Sequence, residues 1–279
     1  MPTENCDMRA IFLFAHPDDE FGCYEIIRRE VGRGNRVECY YMTDGGFGGQ
    51  SVKVRQDESL HVLAMLGVSR ERVHFFGRQY QIPDGLLAEH LQRATSLLAC
   101  GLADNEPISS IYVSAWEGGH QDHDMVCVLG CVLGTQLKIS DGVWQFSLYN
   151  GKGLRGSLFR VLKPLCDNGS TRAYAVPIKY RFLYIWLCLS YPSQWRTWMG
   201  LFPFAASKLL FGGRYYLQPA TLSRVIDRPH TGRLLYERRG MARYEEIIAL
   251  VRHFLNDLGE GQVFETHLRT HGKAHRDNG

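Results

Sequence analysis

Ala10-Ile11-Phe12-Leu13-Phe14-Ala15-His16-Pro17-Asp18-Asp19-Glu20 passes from an apolar run to an imidazole and three carboxylates. A run this short, rich in Ile, Phe and Leu, reads as a strand buried on both faces. Two adjacent aspartates repel each other at its end, and neither is stable in a buried place without a counter-charge. A cation resolves that conflict: the imidazole and one carboxylate ligate it while the other aspartate faces the open coordination position. The stretch therefore predicts a metal-dependent hydrolase.

A second stretch, Gly118-Gly119-His120-Gln121-Asp122-His123-Asp124, follows another buried-strand pattern, Ile111-Tyr112-Val113-Ser114. It precedes an apolar helical segment from Met125 to Leu137. Histidines at i and i+3 lie on one side of a helix or tight turn and can aim at one spot. Catalytic zinc usually takes three protein ligands and keeps a fourth position for water. His16, Asp19 and His123 supply that set. Asp18 and His120 then remain for proton handling and charge stabilisation, and Asp122 can accept a hydrogen bond from a histidine ring and orient it. Singly, each has a structural explanation, such as a helix N-cap for an aspartate after a strand. Two clusters about a hundred residues apart, each at a strand end, favour a shared metal site. Zinc suits the donor set, although iron, cobalt and nickel occupy similar N/O sites.

Strands at 9–15, 36–43, 73–76, 110–114 and 143–149 alternate with helices near 20–33, 51–66, 84–103 and 121–137. That alternation predicts an α/β fold: a Rossmann-like, mostly parallel sheet with helices on both faces. Ligands of such sheets bind beyond the carboxyl ends of the strands, where both clusters fall. Gly45-Gly46-Phe47-Gly48-Gly49 lacks dinucleotide-binding spacing and follows the second strand, so it reads as a flexible loop or a wall of the substrate site.

The His-Pro-Asp-Asp-Glu string with the downstream His-Gln-Asp-His resembles the LmbE-like (PIG-L) family of zinc-dependent de-N-acetylases over roughly residues 9–150. Asp44-Gly45-Gly46, Arg55-Gln56-Asp57-Glu58 with Leu66-Gly67-Val68, and Pro83-Asp84-Gly85 are weaker matches. The resemblance implies removal of an acetyl group from an N-acetylglucosamine-type sugar, free, nucleotide-linked or lipid-linked. It also implies substrate contacts for Asp44, Arg55 and Asp84. The residues themselves leave other readings open: a surface salt bridge for Arg55, turn positions for Asp44 and Asp84. In the proposed reaction Asp18 is general base and His120 stabilises the oxyanion or acts as acid. Many relatives carry a carbonyl-polarising tyrosine where this chain has Gly118, so any such phenol must come from elsewhere.

The 279 residues suit a single domain with a core at about 9–150, a substrate-shaping cap and closing helix at about 151–264, and a flexible tail at 265–279. The cap is inserted in or appended to the core, and the closing helix is read at 238–258. A net charge of +3 gives little reason to expect nucleic-acid binding. Eight scattered cysteines without a C-x-x-C pair, and an N-terminus without a secretory pattern, predict reduced thiols in a cytoplasmic enzyme. Cys127 and Cys131 read as packing residues.

Residues 151–220 are basic, and aromatic from 180 to 211. Phe182–Leu189 is too short to span a bilayer. It reads as a core helix of the cap; the sharper alternative is peripheral membrane contact through 180–211, beside a lipid-linked substrate. Two competing functions keep the same cleft. One applies the zinc machinery to another amide, a sugar–thiol conjugate or a natural-product acyl group. The other is a catalytically silent sugar- or glycolipid-binding domain.

Overall fold

The computed structural model describes residues 8–46, 51–103 and 106–273, with side chains to residue 259. Its elements run β1 (Arg9–Phe14), α1 (Tyr24–Gly32), β2 (Arg36–Tyr41), α2 (Val52–Met65), β3 (Val73–His74), α3 (Phe76–Gln79), α4 (Leu91–Leu102), β4 (Ile108–Ser114), α5 (Gln121–Gln136) and β5 (Val143–Phe146). They continue with β6 (Tyr149–Asn150), β7 (Arg160–Val161), β8 (Arg172–Ala175), α6 (Ile178–Leu187), α7 (Trp195–Ser207), β9 (Arg214–Pro219), α8 (Leu222–Val225), α9 (Leu235–Arg238) and α10 (Tyr244–Lys273).

The opening stretch sits at the centre of the sheet. Strand order is β3-β2-β1-β4-β5-β9-β8, and β1 lies parallel between β2 and β4. Side chains alternate across a strand. Ala10, Phe12 and Phe14 accordingly join one core layer, against α1, α6 and α7, while Ile11, Leu13 and Ala15 join the other, against α4, α5 and α10. All six are fully buried. Burying a large apolar side chain contributes roughly 1.5–3 kcal/mol, so β1 anchors both layers. The expected Rossmann-like, mostly parallel arrangement is present, with helices on both faces and further helices in the C-terminal part.

The differences fall where long-range pairing decides. The strand read over 143–149 ends at Phe146; Tyr149 and Asn150 turn away to pair with β7. Strands β9 and β8, from the segment read as a cap, add to the sheet edge in antiparallel sense. The helix read from 84 begins as a short turn, Leu87–His90, before α4. The first helix likewise opens with a tight turn, Asp19–Gly22. The closing helix begins at Tyr244 and runs to Lys273, past the span read for it. Residues 47–50 of the glycine-rich loop, Cys6 and the last six tail residues lie outside the described residues. The remaining seven cysteines are unpaired, with Cys127 and Cys131 buried as packing residues.

Candidate metal centre

Two sheet connections meet at the carboxyl ends of β1 and β4. After β1 the chain turns sharply, and Asp19 folds back so that its Oδ2 accepts the backbone N–H groups of Ala15 and His16 at 2.9 and 2.8 Å. This leaves Oδ1 facing His123 Nε2 at 3.0 Å. His16 Nδ1 lies 3.3 Å from the same His123 nitrogen and 3.7 Å from Asp19 Oδ2. Ligand atoms about 2.0–2.1 Å from a tetrahedral zinc are separated by roughly 3.3 Å. The Asp19 Oδ1–His123 and His16–His123 spacings are close to such edges, and two imidazoles with one carboxylate form a suitable N/O donor set, so these residues fit the metal that the sequence implies. His120 also approaches: single nitrogens of His16, His120 and His123 lie within 4.8 Å of one another.

The supporting contacts are specific. Asp122 Oδ2 lies 3.2 Å from His16 Nε2, leaving Nδ1 of that ring toward the cluster. Asp122 also accepts the backbone N–H groups of Gly85 and Leu87, at 2.6 and 3.1 Å. It therefore pins the 84–87 loop to the start of α5, and with it Asp84, whose Oδ1 is 3.2 Å from His16 Nε2. Burial pushes the His16 imidazole toward neutrality, but the negative charge of Asp84 and the bond to Asp122 outweigh it and hold its pKa well above the ordinary value. Burial raises the Asp19 carboxyl, yet His123 and His16 bring it down to about 2.

Asp18 lies beside this cluster in a left-handed conformation, φ 114°. Such a backbone costs a non-glycine residue of order 1–3 kcal/mol and is kept only where its surroundings impose it. Here Glu20 imposes it: its Oε2 accepts the Asp18 N–H at 3.1 Å, and its Oε1 accepts Tyr191 O–H at 3.0 Å. Burial lifts the Asp18 carboxyl to about 8 against the opposing charge of Arg55, whose Nη2 is 3.5 Å away.

His120 caps α5. Its Nδ1 accepts the Asp122 N–H at 3.2 Å, which assigns the ring proton to Nε2. Burial, reinforced by the charge of His16, lowers its pKa to about 3. The ring is thus a neutral donor rather than an imidazolium.

His16, Asp18, Asp19, Arg55, Asp84, His120 and His123 all border one cavity of about 350 Å³. Asp122 lies behind its wall. Asp44 instead ties two loops together, accepting the N–H groups of Gly46 and Asp84 at 2.9 and 3.0 Å. Arg55 donates to the carbonyls of Gly45 and Pro17 and lies 3.7 Å from Asp84. It is a buried brace of the cavity wall, not an exposed salt bridge.

Tyr149, Arg196 and Arg239 border the cavity too, and no local motif marks them. Gly118 has φ +69°, and a Cβ there would meet the Leu234 side chain at 2.7 Å, so no tyrosine fits at that position. A Cβ on Gly119 would strike the Tyr149 carbonyl oxygen at 2.1 Å. The two glycines thereby let β6 press against the motif, and the Tyr149 ring packs edge-on to His123, centroids 5.4 Å apart. A tyrosine is brought to the site from another strand.

Residues 11–131 match the PIG-L family, described as GlcNAc-PI de-N-acetylase. No curated protein matches the chain in sequence. Among solved structures, a deacetylase of the teicoplanin biosynthesis pathway is similar with 14% identity and a TM-score of 0.57, covering 76% of this chain and 97% of that one. The N,N'-diacetylchitobiose deacetylase from Pyrococcus horikoshii has 16% identity and a TM-score of 0.53, covering 76% of this chain and 84% of its own. At such identities these likenesses establish the fold. The family match spans both motifs and the His/Asp cluster assembled from them, so over residues 11–131 the chain is similar to the PIG-L/LmbE-like deacetylases.

Proposed function

We propose that this chain is a zinc-dependent hydrolase that removes the acetyl group from an N-acetylated amino sugar or its glycoconjugate. One observation supports the reading: His16, Asp19 and His123 converge at one cavity, where they could hold a metal, with Asp18 beside them. A divalent cation held by those three residues would acidify water toward a pKa of about 7 and polarise the amide carbonyl.

This chain's side chains perform the remaining steps. Asp18 takes a proton from the attacking water and delivers it to the departing amine. Beside a bound cation the Asp18 carboxyl would return toward the ionised form that a base requires. His120 donates its Nε2–H to the developing oxyanion, a task suited to a neutral ring. Tyr149 offers a second donor from the facing wall. Asp122 fixes the His16 ring, and Asp84 and Arg55 shape the rim that meets the sugar.

The cavity continues into a second one of about 320 Å³, bordered by Phe159, Arg196, Gly200 and Arg239. Among the described residues neither arginine forms an ion pair; they lie over the Trp195, Tyr149 and Phe159 rings instead. Room of this size beyond the acetamide suits a conjugate larger than a free monosaccharide. Acetate release from N-acetylated sugars, free, nucleotide-linked and lipid-linked, tests the reading. Turnover by the zinc-loaded enzyme that collapses in Asp18→Asn supports it; no release from any sugar, with release from another amide, replaces it with the second use of the same machinery.

A further inference from the structure

Residues 168–226 hold seven Lys/Arg and no Asp or Glu, whereas the other 220 residues hold 25 Lys/Arg against 29 Asp/Glu. The same region holds most of the large exposed hydrophobic side chains: nine of fifteen among the described residues lie within 178–211. The arrangement is ordered. Ile178, Phe182 and Trp186 follow one another at i, i+4 and i+8 along the outer side of α6, while Tyr184 and Leu187 face the core. Trp195 and Met199 repeat the spacing on α7, opposite a buried side formed by Trp198, Leu201 and Ala205. Both helices pack against the turn 208–212, which carries Phe211, 81% exposed. Lys179, Arg196, Lys208 and Arg214 are exposed among these apolar side chains.

We propose that this outer face of α6, α7 and the 208–212 turn docks on an anionic lipid bilayer. Apolar and aromatic side chains interspersed with lysine and arginine are what an interfacial surface needs, the rings entering the headgroup boundary and the cations meeting lipid phosphates and carboxylates. Charge also argues against a second copy as the occupant, because two such faces would bring together cations with no acid between them. The face lies on the membrane without spanning it: among the described residues no helix is long and apolar enough to cross. Docking has a consequence for the site. Arg196 and Thr197, next to Trp195 on α7, border the cavity of the metal centre, so its mouth opens beside the bilayer. That consequence, delivery of a membrane-borne substrate, rests on the deacetylase reading; docking itself does not.

The test is co-sedimentation of the full chain with phosphatidylcholine vesicles, with and without phosphatidylserine, at low and high salt. The wild type is expected to sediment with the anionic vesicles and to be released by salt. Phe182→Glu/Phe211→Glu is expected to bind them roughly tenfold more weakly or worse, with an unchanged melting midpoint. Absence of binding to anionic vesicles overturns the proposal, as does equal binding by the variant. A wild-type dimer that the two substitutions split also overturns it, since a second copy then covers the face. Vesicle binding without acetate release from any sugar leaves docking standing and removes the deacetylase reading.

Discussion

The carboxylate of Glu20 accepts the backbone N–H of Asp18 at 3.1 Å and so holds the proposed general base in a left-handed turn beside the metal ligands. The acid that opens the first helical turn therefore acts through its neighbour's backbone. Tyr191 reaches across from the C-terminal part of the chain to the other oxygen of the same carboxylate, and its hydroxyl lies 2.9 Å from that of Tyr24.

Glu20→Ala should release that turn. Leaving the Asp18 N–H and the Tyr191 hydroxyl without their acceptor costs about 1–3 kcal/mol each where water cannot replace it. A lower urea midpoint is expected, with a lower kcat and zinc content near one per chain. Full activity would show that Asp18 holds its place without Glu20.

Asp122→Asn should weaken metal binding rather than chemistry. The carboxylate meets His16 Nε2 and two backbone N–H groups at once. Loss of such an outer partner usually costs ~10–100-fold in metal affinity or activity. Competition with a zinc chelator measures it, and saturating zinc should restore most of kcat. Unchanged affinity would remove Asp122 from the metal's support.

His120 should act as a neutral donor. His120→Ala loses both the Nε2–H and the α5 cap, with an expected fall in kcat of ~10²–10³ and about 1 kcal/mol of stability. His120→Asn keeps a cap acceptor and a donor and should recover part of each. Because the ring stays neutral down to about pH 3, the acid limb of the rate profile should persist in His120→Asn. Disappearance of that limb would make His120 the titrating acid instead.

At the opposite end of the strands, Arg9 donates to both oxygens of Glu38, at 3.2 and 3.0 Å, and to the Leu102 carbonyl at 3.1 Å. Burial raises the Glu38 carboxyl, but the bonds from Arg9, Arg36 and Tyr40 outweigh it and lower its pKa. A carboxylate lowered on folding contributes stability that is present above its unfolded pKa and lost as pH falls through the folded one. Arg9→Met leaves that carboxylate without its buried partner and should cost ~3–5 kcal/mol at neutral pH. The deficit should shrink as pH falls and Glu38 protonates in the variant. Urea titrations from neutral to acid pH check it; a deficit independent of pH would contradict the ionic account.

How much of this could be read from the sequence depends on how locally each feature is encoded. The apolar run before His16 and the i, i+3 histidines announce both halves of the cluster, because strand burial and helical spacing are short-range patterns. Arg55 and Asp84 were legible only through resemblance, since their contacts depend on where two loops land. Tyr149 gave no signal. It reaches the site because Gly118 and Gly119 let a distant strand approach, and a single-residue motif cannot carry that information. The β8–β9 extension and the division of α6 into buried and exposed sides were hidden for the same reason: an aromatic-rich helix reads as core until its neighbours are known.

The most direct test of the central claim is zinc titration of the chelator-stripped enzyme, followed by acetate release from an N-acetylated sugar conjugate. The account predicts activity that rises from near zero to a plateau at about one zinc per chain, with no such rise in His123→Ala. Full activity in the stripped enzyme, or an undiminished plateau in His123→Ala, would contradict a catalytic metal held by His16, Asp19 and His123.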